Sequence, residues 1–190
     1  VAHEKGLYSM ALSPDGKRIV TGGWDKVVKI WDIATGKELI TLPCAHAEYT
    51  SCVAFSPDGK RIVSDDDSGV INIWDINGVN EVAKSIRHGN DWVSSVAFSP
   101  DGKQLVSASS SSKEIKVWDT VTGAEIIAFS GNAGGEAIAA FSPDGKHIVS
   151  GGVDGAINIY DSASGNEVMT LNGNDRIFVV SFSSDGKLLA

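Results

Sequence analysis

Apolar and polar residues alternate over short segments of this chain. Residues 28–31 read Val-Lys-Ile-Trp, and residues 156–160 read Ala-Ile-Asn-Ile-Tyr. A period of two is typical of a β-strand with one face toward a core. Other runs, among them residues 51–55 and 61–64, have strand length and contain β-branched side chains. The pattern predicts an all-β protein built from short strands.

A four-residue turn separates many of these strands. The sequence Ser-Pro-Asp-Gly occurs at residues 13–16, 56–59, 99–102 and 142–145. Proline fixes φ near the value needed at the second place of a β-turn, aspartate suits the third place and glycine the fourth. A glycine-rich or acidic turn follows the next strand, and Thr-Gly at residues 35–36 and 122–123 marks a third turn. We therefore predict four antiparallel strands in each copy.

The copies have a fixed period. The turn prolines Pro14, Pro57, Pro100 and Pro143 stand 43 residues apart, which is the signature of a repeat protein. We predict repeats at approximately 1–44, 45–87, 88–131 and 132–172, with a partial fifth copy at 173–190. Four strands alone bury too little apolar surface, so each unit is expected to stack on its neighbours.

The third predicted strand of each copy ends in an aromatic residue and an aspartate, at residues 31–32, 74–75, 118–119 and 160–161. With the Ser-Pro-Asp-Gly turn and the 43-residue period, these pairs resemble the WD40 repeat. The resemblance covers essentially the whole chain and implies a β-propeller, in which four-stranded blades surround a central channel. We expect one WD40 repeat domain over residues 1–190, with four four-stranded antiparallel blades plus a half blade, not closed into a ring.

The number of repeats in the chain indicates whether the propeller can close into a ring. Four full periods and part of a fifth fit into 190 residues, whereas propellers of this family commonly have about seven blades. We therefore expect a segment of a longer propeller, open at both ends. Open ends expose unpaired strand edges, so we expect them to meet other blades of a longer chain or to self-associate.

The charge and composition of the chain indicate which classes of binding partner to expect. The chain has 16 Lys and Arg against 24 Asp and Glu, a net charge of −8, and no basic stripe. Nucleic-acid binding draws most of its affinity from neutralised phosphates, so we expect no nucleic-acid partner. No apolar run approaches the roughly 20 residues that span a bilayer, and we expect no membrane partner. The two cysteines lack the spacing of a disulfide framework, which favours a cytoplasmic location.

The resemblance also implies a hydrogen-bonded network inside each blade, made by a His, a Ser or Thr, an Asp and the third-strand Trp. The first copy matches at every place, the second has Ser68 at the acidic place, and the fourth has Asn132 and Tyr160 in place of His and Trp. We expect the third and fourth blades to be held less firmly than the first. The expected network residues are His3, Thr21, Asp25, Trp31, His46, Ser64, Trp74, Ser107, Trp118, Ser150 and Asp154.

Two sequence features could be taken for catalysis or metal binding. The His, Ser or Thr and Asp trio is repeated in each copy and has no oxyanion donor beside it, so we interpret it as structural. The run Asp65-Asp66-Asp67 lacks the alternating spacing and the closing Glu of a calcium loop, so we interpret it as a solvated acidic turn. We predict no catalytic residue, no cofactor and no metal.

The family resemblance places variable loops on one rim of the propeller, where partners bind. Trp24, Tyr49, Asp67, Trp92 and Arg176 are the expected rim residues, and aromatic residues and Arg are enriched at binding hot spots. The alternative for Tyr49 and Trp92 is that each ring covers its own blade. Trp24 lies in a Gly-Gly-x-Asp turn with no evident core to fill.

These observations predict a non-enzymatic scaffold that binds a protein or peptide through the loop rim. The second hypothesis is a propeller that binds a small ligand or glycan in equivalent pockets between blades. That hypothesis requires the same groups at the rim of every copy, whereas the rim residues of this chain differ from copy to copy. A catalytic propeller is the weakest alternative.

Overall fold

The computed structural model describes residues 3–42, 46–76, 82–89, 91–131 and 137–189. Over these ranges the regular structure is β, with sixteen strands and no helix. The strands are β1 Leu7–Leu12, β2 Arg18–Gly23, β3 Val28–Asp32, β4 Glu38–Leu42, β5 Thr50–Phe55, β6 Arg61–Asp66, β7 Val70–Asp75, β8 Val82–Arg87, β9 Val93–Phe98, β10 Gln104–Ser109, β11 Glu114–Asp119, β12 Glu125–Ser130, β13 Ile138–Phe141, β14 His147–Gly151, β15 Ala156–Asp161 and β16 Glu167–Asn172.

Each group of four consecutive strands forms one antiparallel sheet. The four sheets are β1 to β4, β5 to β8, β9 to β12 and β13 to β16, and in each sheet the strands are neighbours in chain order. These sheets correspond to the first, second, third and fourth repeats. The prediction of an all-β chain with four four-stranded antiparallel blades is confirmed.

The Ser-Pro-Asp-Gly turns close the first hairpin of every repeat. In the first repeat the Gly16 N–H donates to the Ser13 carbonyl at 2.9 Å, and the Ser13 hydroxyl donates to Asp15 at 2.5 Å. The same two bonds recur in the other three full copies. The turn glycines have φ between 66° and 73°, a region that favours glycine. The backbone of the turn therefore explains why its sequence recurs.

The chain divides into two compact units, residues 1–93 and 94–190, and each unit has its own core. In the first unit β5 packs against β1 and β2, and in the second unit β13 packs against β10. Stacking removes apolar faces from water that a lone sheet would leave exposed. The first core contains Val20, Val28, Ile30, Leu42, Val53, Phe55, Ile62, Trp74 and Ile76. The second contains Val106, Ala108, Ile115, Val117, Ala137, Ala139, Phe141, Ile148 and Tyr160.

Gly22 shows how closely the first two sheets approach each other. A Cβ atom at this position would lie 2.5 Å from Thr50 Cγ2 and 3.0 Å from Val53 Cγ1. In the second unit, a Cβ at Gly151 would lie 2.6 Å from Ile177 Cγ2. Both glycines therefore leave the space that the next stretch of chain fills.

Residues 173–189 are less regular than the four repeats. Residues 183–186 form the same turn as the Ser-Pro-Asp-Gly segments of the full repeats, since the Gly186 N–H donates to the Ser183 carbonyl at 2.8 Å. The strands expected on either side of it are reduced to one bridge between Phe182 and Leu189. A two-stranded hairpin is only marginally stable in water, which accounts for the difference. The repeat boundaries proposed from the sequence stay predictions.

Candidate functional site

The first repeat contains all four members of the predicted network. His3 Nδ1 lies 2.7 Å from Asp25 Oδ1, and His3 Nε2 lies 2.8 Å from Thr21 Oγ1. Trp31 Nε1 donates to the same threonine oxygen at 2.8 Å. A neutral imidazole that donates from Nδ1 gives each of these bonds one donor and one acceptor. The network ties the segment before β1 to the second and third strands.

The second repeat closes the same network from a different sequence position. His46 Nε2 lies 2.7 Å from Ser64 Oγ, which accepts the Trp74 Nε1–H at 2.8 Å. The acid is Asp66, whose Oδ2 lies 3.2 Å from His46 Nδ1, within ion-pair distance but off the direction of a hydrogen bond. The sequence alignment leaves this repeat without an acid, because Ser68 stands where the aspartate is expected, and in the structure Ser68 donates its N–H and hydroxyl to Asp66. A carboxylate at the end of β6 reaches the imidazole from the strand instead of from the turn.

The third repeat keeps the bond between the tryptophan and the hydroxyl. Trp118 Nε1 donates to Ser107 Oγ at 2.8 Å, and Ser107 is fully buried. In the turn that follows β10, Ser109 Oγ accepts the N–H groups of Ser111 and Ser112 at 3.3 Å each. A serine therefore organises the turn that an aspartate organises in the first repeat.

The fourth repeat replaces the tryptophan with Tyr160, which is 3% exposed. Its ring packs against Phe129, with ring centroids 4.7 Å apart. Ser150 is fully buried, and Asp154 accepts the N–H of Ala156 at 3.1 Å. Asn132, the expected substitute for the network histidine, lies outside the described residues.

Asp65 is fully buried in the second repeat. Its Oδ1 accepts the Ser51 hydroxyl at 2.7 Å and the Cys52 N–H at 2.6 Å, while Oδ2 is buried without a hydrogen-bond partner. Burial raises the pKa of Asp65 to about 8, and the negative charges of Asp66 and Asp67 act in the same direction. The interpretation of residues 65–67 as a solvated turn was wrong for the first two, which end β6 inside the protein. A bulge in β5 brings two donors opposite one residue of β6.

The structure brings two of the five predicted rim residues into contact. Trp24, in the turn after β2, and Tyr49, just before β5, stack with ring centroids 5.1 Å apart and an interplanar angle of 23°. Trp24 is 47% exposed and Tyr49 is 37% exposed. The two residues come from different repeats, so the stacked pair exists only because the two sheets pack together.

Charged groups surround this aromatic pair. Lys26 Nζ donates to the Ala47 carbonyl and lies 3.7 Å from Glu48 Oε2, so it links the same two loops. Asp67, also a predicted rim residue, lies half-buried in the turn after β6. Burial raises the pKa of Asp67, and the charges of Asp66 and Glu48 raise it further. The acidic groups therefore share one region of the first unit with the stacked rings.

The other two predicted rim residues have different surroundings. Trp92 is half-buried just before β9, and its Nε1 is buried without a hydrogen-bond partner. Such a ring fits the alternative that it covers its own repeat. Arg176 is exposed in the second unit. The binding roles of Trp92 and Arg176 stay predictions.

The family model described as "WD domain, G-beta repeat" matches residues 1–32, 36–75, 81–119 and 126–161. The chain belongs to the WD40 repeat family. The four matches follow the four sheets, so the fold is a WD40-type β-propeller segment. The resemblance inferred from the turns and the aromatic-Asp pairs is confirmed.

Individual WD40 proteins match over about one repeat. Mouse "WD repeat-containing protein 3" is 55% identical over 40 residues, which is 21% of this chain and 4% of that protein. "Ribosome biogenesis protein WDR12 homolog" of Drosophila persimilis is 52% identical over 29 residues, or 15% of this chain and 7% of that protein. "U3 small nucleolar RNA-associated protein 12" of Saccharomyces cerevisiae is 46% identical over 39 residues, or 20% and 4%. The matches thus span only a small part of these relatives.

Two other kinds of site, metal-ligand clusters and membrane-spanning helices, are lacking among the described residues. Within the described ranges, no three His, Cys, Asp or Glu side chains are placed to hold a metal ion. The described residues also contain no helix that is long and apolar enough to cross a membrane. Asp66 is a network residue that the sequence pattern did not predict, and the acidic run at the end of a predicted strand was the signal available for it.

Proposed function

We propose that this WD40 chain is a non-enzymatic scaffold that binds a protein or peptide through its loop rim, with the Trp24–Tyr49 stack as the anchor. The observation that carries the proposal is the exposure of two rings that are held face to face across two repeats. Rigid, partly exposed aromatic side chains bury a large area on binding at a low cost in conformational entropy. Loops on a rigid β scaffold commonly carry such contacts.

The charges near the stack favour a partner segment with basic character. Glu48 and Asp67 contribute negative charge to this region, and the whole chain has a net charge of −8. Lys26 is engaged with the Ala47 carbonyl and Glu48. A segment that contains Lys or Arg beside an apolar residue would match both the rings and the carboxylates.

The same geometry supports a non-enzymatic role without a cofactor. Thr21 is the hydroxyl that would have to act as a nucleophile, but its oxygen is bonded to both His3 and Trp31 and is 6% exposed. Asp25 is engaged by His3 and by the Glu4 N–H. These groups satisfy one another inside the blade, which is a structural role.

Two of the relatives are named as a ribosome biogenesis protein and a small nucleolar RNA-associated protein, but the matched segments are 29–40 residues long, less than one repeat. Matches of that length support the scaffold class and not a pathway. We propose a protein partner rather than nucleic acid, because the acidic chain repels phosphate. Cytoplasmic residence stays a prediction from the cysteine content of the sequence.

A selection experiment tests the rim. A phage-displayed random peptide library is selected on the whole chain, and the binders are measured by fluorescence anisotropy against Trp24→Ala. We expect basic peptides whose affinity falls about thirtyfold in the variant, which is a hot-spot loss of about 2 kcal/mol. Because Trp24 is 47% exposed, the melting temperature should change by only about 2 °C.

The matched control is Ile33→Ala. Ile33 is 43% exposed and lies in the turn after β3, at the other end of the strand from the Trp24 turn. Selected peptides should bind this variant as they bind the wild-type chain. Equal loss in both variants, or no loss in Trp24→Ala, would refute the rim proposal. A large fall in melting temperature in Trp24→Ala would assign the ring to packing.

A further inference from the structure

A groove of about 380 Å³ lies between the third and fourth repeats. It is bounded by their two Ser-Pro-Asp-Gly turns, so it lies at the end of β9 opposite the loop that precedes this strand. Its lining includes Pro100, Asp101, Gln104, Asp119 and Gly145. The proposed binding at the loop rim does not involve this groove.

The corresponding place between the first and second repeats is occupied by the chain itself. Arg18 Nη2 donates to the Gly59 carbonyl at 3.0 Å, and the guanidinium carbon lies 5.5 Å from the centre of the Phe55 ring. The guanidinium group thus lies over an aromatic ring and on a turn carbonyl, which is a favourable arrangement for this cation. The first unit therefore shows which chemical group this kind of groove accepts.

The two grooves are equivalent in the backbone that forms them. A Cβ at Gly59 would lie 3.6 Å from Pro14 Cδ, and a Cβ at Gly145 would lie 3.7 Å from Pro100 Cδ. The turns of neighbouring repeats therefore approach each other in the same way at both junctions. What differs is the side chain that could fill the space.

Gln104 takes the place of Arg18. Each is the first residue of its second strand and pairs across the sheet with the aspartate that follows the aromatic residue, Asp119 for Gln104 and Asp32 for Arg18. The glutamine side chain is neutral and ends two bonds earlier than that of arginine. It leaves open the space that the arginine fills in the first unit.

The partners of the missing guanidinium are still present. Phe141 stands directly before the Ser-Pro-Asp-Gly turn of its repeat, as Phe55 does in the second repeat, and both rings are 9% exposed. The Gly145 carbonyl occupies the place of the Gly59 carbonyl and accepts the Ser162 hydroxyl at 2.7 Å. Because a carbonyl oxygen has two lone pairs, it can accept a second donor.

The lining is also negatively charged. Three carboxylates, those of Asp101, Asp119 and Asp144, line the groove against one ammonium group, that of Lys103. Hydrogen bonds from neighbouring Ser, Thr and backbone N–H groups hold the pKa of all three carboxyls below the ordinary value, so they are ionised at neutral pH. Those bonds go to Oδ1 in each case. An anionic ligand would be repelled here.

We propose that the groove between the third and fourth repeats binds a guanidinium group, namely an arginine side chain of a partner protein. The arginine supplies in trans what Arg18 supplies within the chain at the first junction. Its donors meet the Gly145 carbonyl and the carboxylates, and its planar face meets the aromatic ring next to the turn. The chain would thus have a cation site distinct from the aromatic pair of the first unit.

A titration of the whole ¹⁵N-labelled chain with N-acetyl-L-arginine amide tests this site, with the Gly145 amide signal as the readout. We expect a saturable shift for the wild-type chain and weaker binding, by about tenfold, in Gln104→Arg, because the tethered guanidinium competes at high effective concentration. The reciprocal variant Arg18→Gln should open the first junction and give a new saturable shift at Gly59. Arginine already stands at this strand position in two other repeats, so Gln104→Arg is expected to fold.

The controls separate a guanidinium site from general cation binding. N-acetyl-L-citrulline amide has the same shape without the charge and should give no saturable shift. N-acetyl-L-lysine amide should bind more weakly than the arginine probe. Equal binding of any two probes, or an unchanged affinity in Gln104→Arg, would overturn the proposal. If Arg18→Gln fails to fold, the affinity of Gln104→Arg for the arginine probe still tests the proposal.

Discussion

The first and second repeats place different residues in the same turn. Gly22-Gly23-Trp24-Asp25 in the first repeat corresponds to Asp65-Asp66-Asp67-Ser68 in the second. Both repeats nevertheless bring a carboxylate to the network histidine, from the turn in one case and from the strand end in the other. The network therefore requires a carboxylate beside the histidine, and residues at two different sequence positions of the repeat can supply it.

The same comparison shows a difference at the sheet interface. Gly22 has no room for a side chain, whereas the corresponding Asp65 is buried in the second repeat. Asp65 is tolerated there because Ser51 and the Cys52 N–H donate to it. Its other oxygen remains without a partner, so the substitution carries a cost that a glycine would avoid.

The largest expected effect tests whether Asp66 is the carboxylate that contacts His46 in the second repeat. Asp66→Ala should destabilise the chain by about 3 kcal/mol, because it removes a buried carboxylate from His46 and leaves the N–H groups of Ser68 and Val70 without their acceptor. Urea unfolding followed by tryptophan fluorescence measures the loss.

Ser68→Ala is the matched control for this prediction. It removes one hydroxyl that donates to Asp66 and should cost only about 1 kcal/mol. If Ser68→Ala cost as much as Asp66→Ala, the serine would be the network member after all, and the two repeats would share one register.

A second expected effect concerns the glycine at the sheet interface. Gly22→Ala should cost about 2 kcal/mol, because the new methyl group meets Thr50 Cγ2 at 2.5 Å. Thermal unfolding of the single variants and of the double variant with Thr50→Ala measures the coupling. The double variant should lose less than the sum of the singles, since Thr50→Ala removes the clashing atom. Strict additivity would show that the contact is not responsible.

A pH-dependent effect is expected at Asp65. Between its ordinary pKa of 3.8 and its folded pKa of about 8, the folded chain binds a proton at this carboxyl that the unfolded chain releases. This term stabilises the fold fully at low pH and is lost as pH rises toward 8. Asp65→Asn removes the term, so the variant should gain stability over the wild-type chain as the pH rises from 5 to 8, by about 1 kcal/mol for each pH unit.

Urea midpoints of both proteins at pH 5 and pH 8 test this effect. Asp67→Asn serves as the control, since the pKa of Asp67 is also raised but the residue is only half-buried. Its pH-dependent gain should be smaller. A difference between Asp65→Asn and the wild-type chain that does not change with pH would contradict the raised pKa of Asp65.

The sequence predicted the repeated part of the structure well. The Ser-Pro-Asp-Gly turns and the strands around them were predicted because their backbone geometry requires particular residues, such as glycine at positive φ. The first network was predicted by resemblance. Asp66 was missed because alignment by the period compares only corresponding positions, and a strand residue can take the role of a turn residue.

Contacts between repeats could not be predicted from the pattern within one repeat. The stacking of Trp24 on Tyr49 and the burial of Asp65 both depend on how the second sheet packs. The groove at Gln104 also depends on the packing of two repeats, because the arginine at the same strand position of the first repeat reaches the turn of the second. Periodicity fixes the fold of a repeat, whereas the surfaces that its neighbours leave open depend on side-chain length.

The turn glycines approach the turn prolines of the preceding repeat in the same way at three places, since a Cβ atom added to the glycine would lie 3.6 Å from Pro14 Cδ at Gly59, 3.7 Å from Pro100 Cδ at Gly145 and 3.6 Å from Pro143 Cδ at Gly186. A duplication or loss of one whole period in the gene would therefore produce a new junction between repeats whose turns already pack together. Such a chain could gain or lose modules by recombination without inventing a new interface, while single side chains at each seam diverge to take on separate tasks.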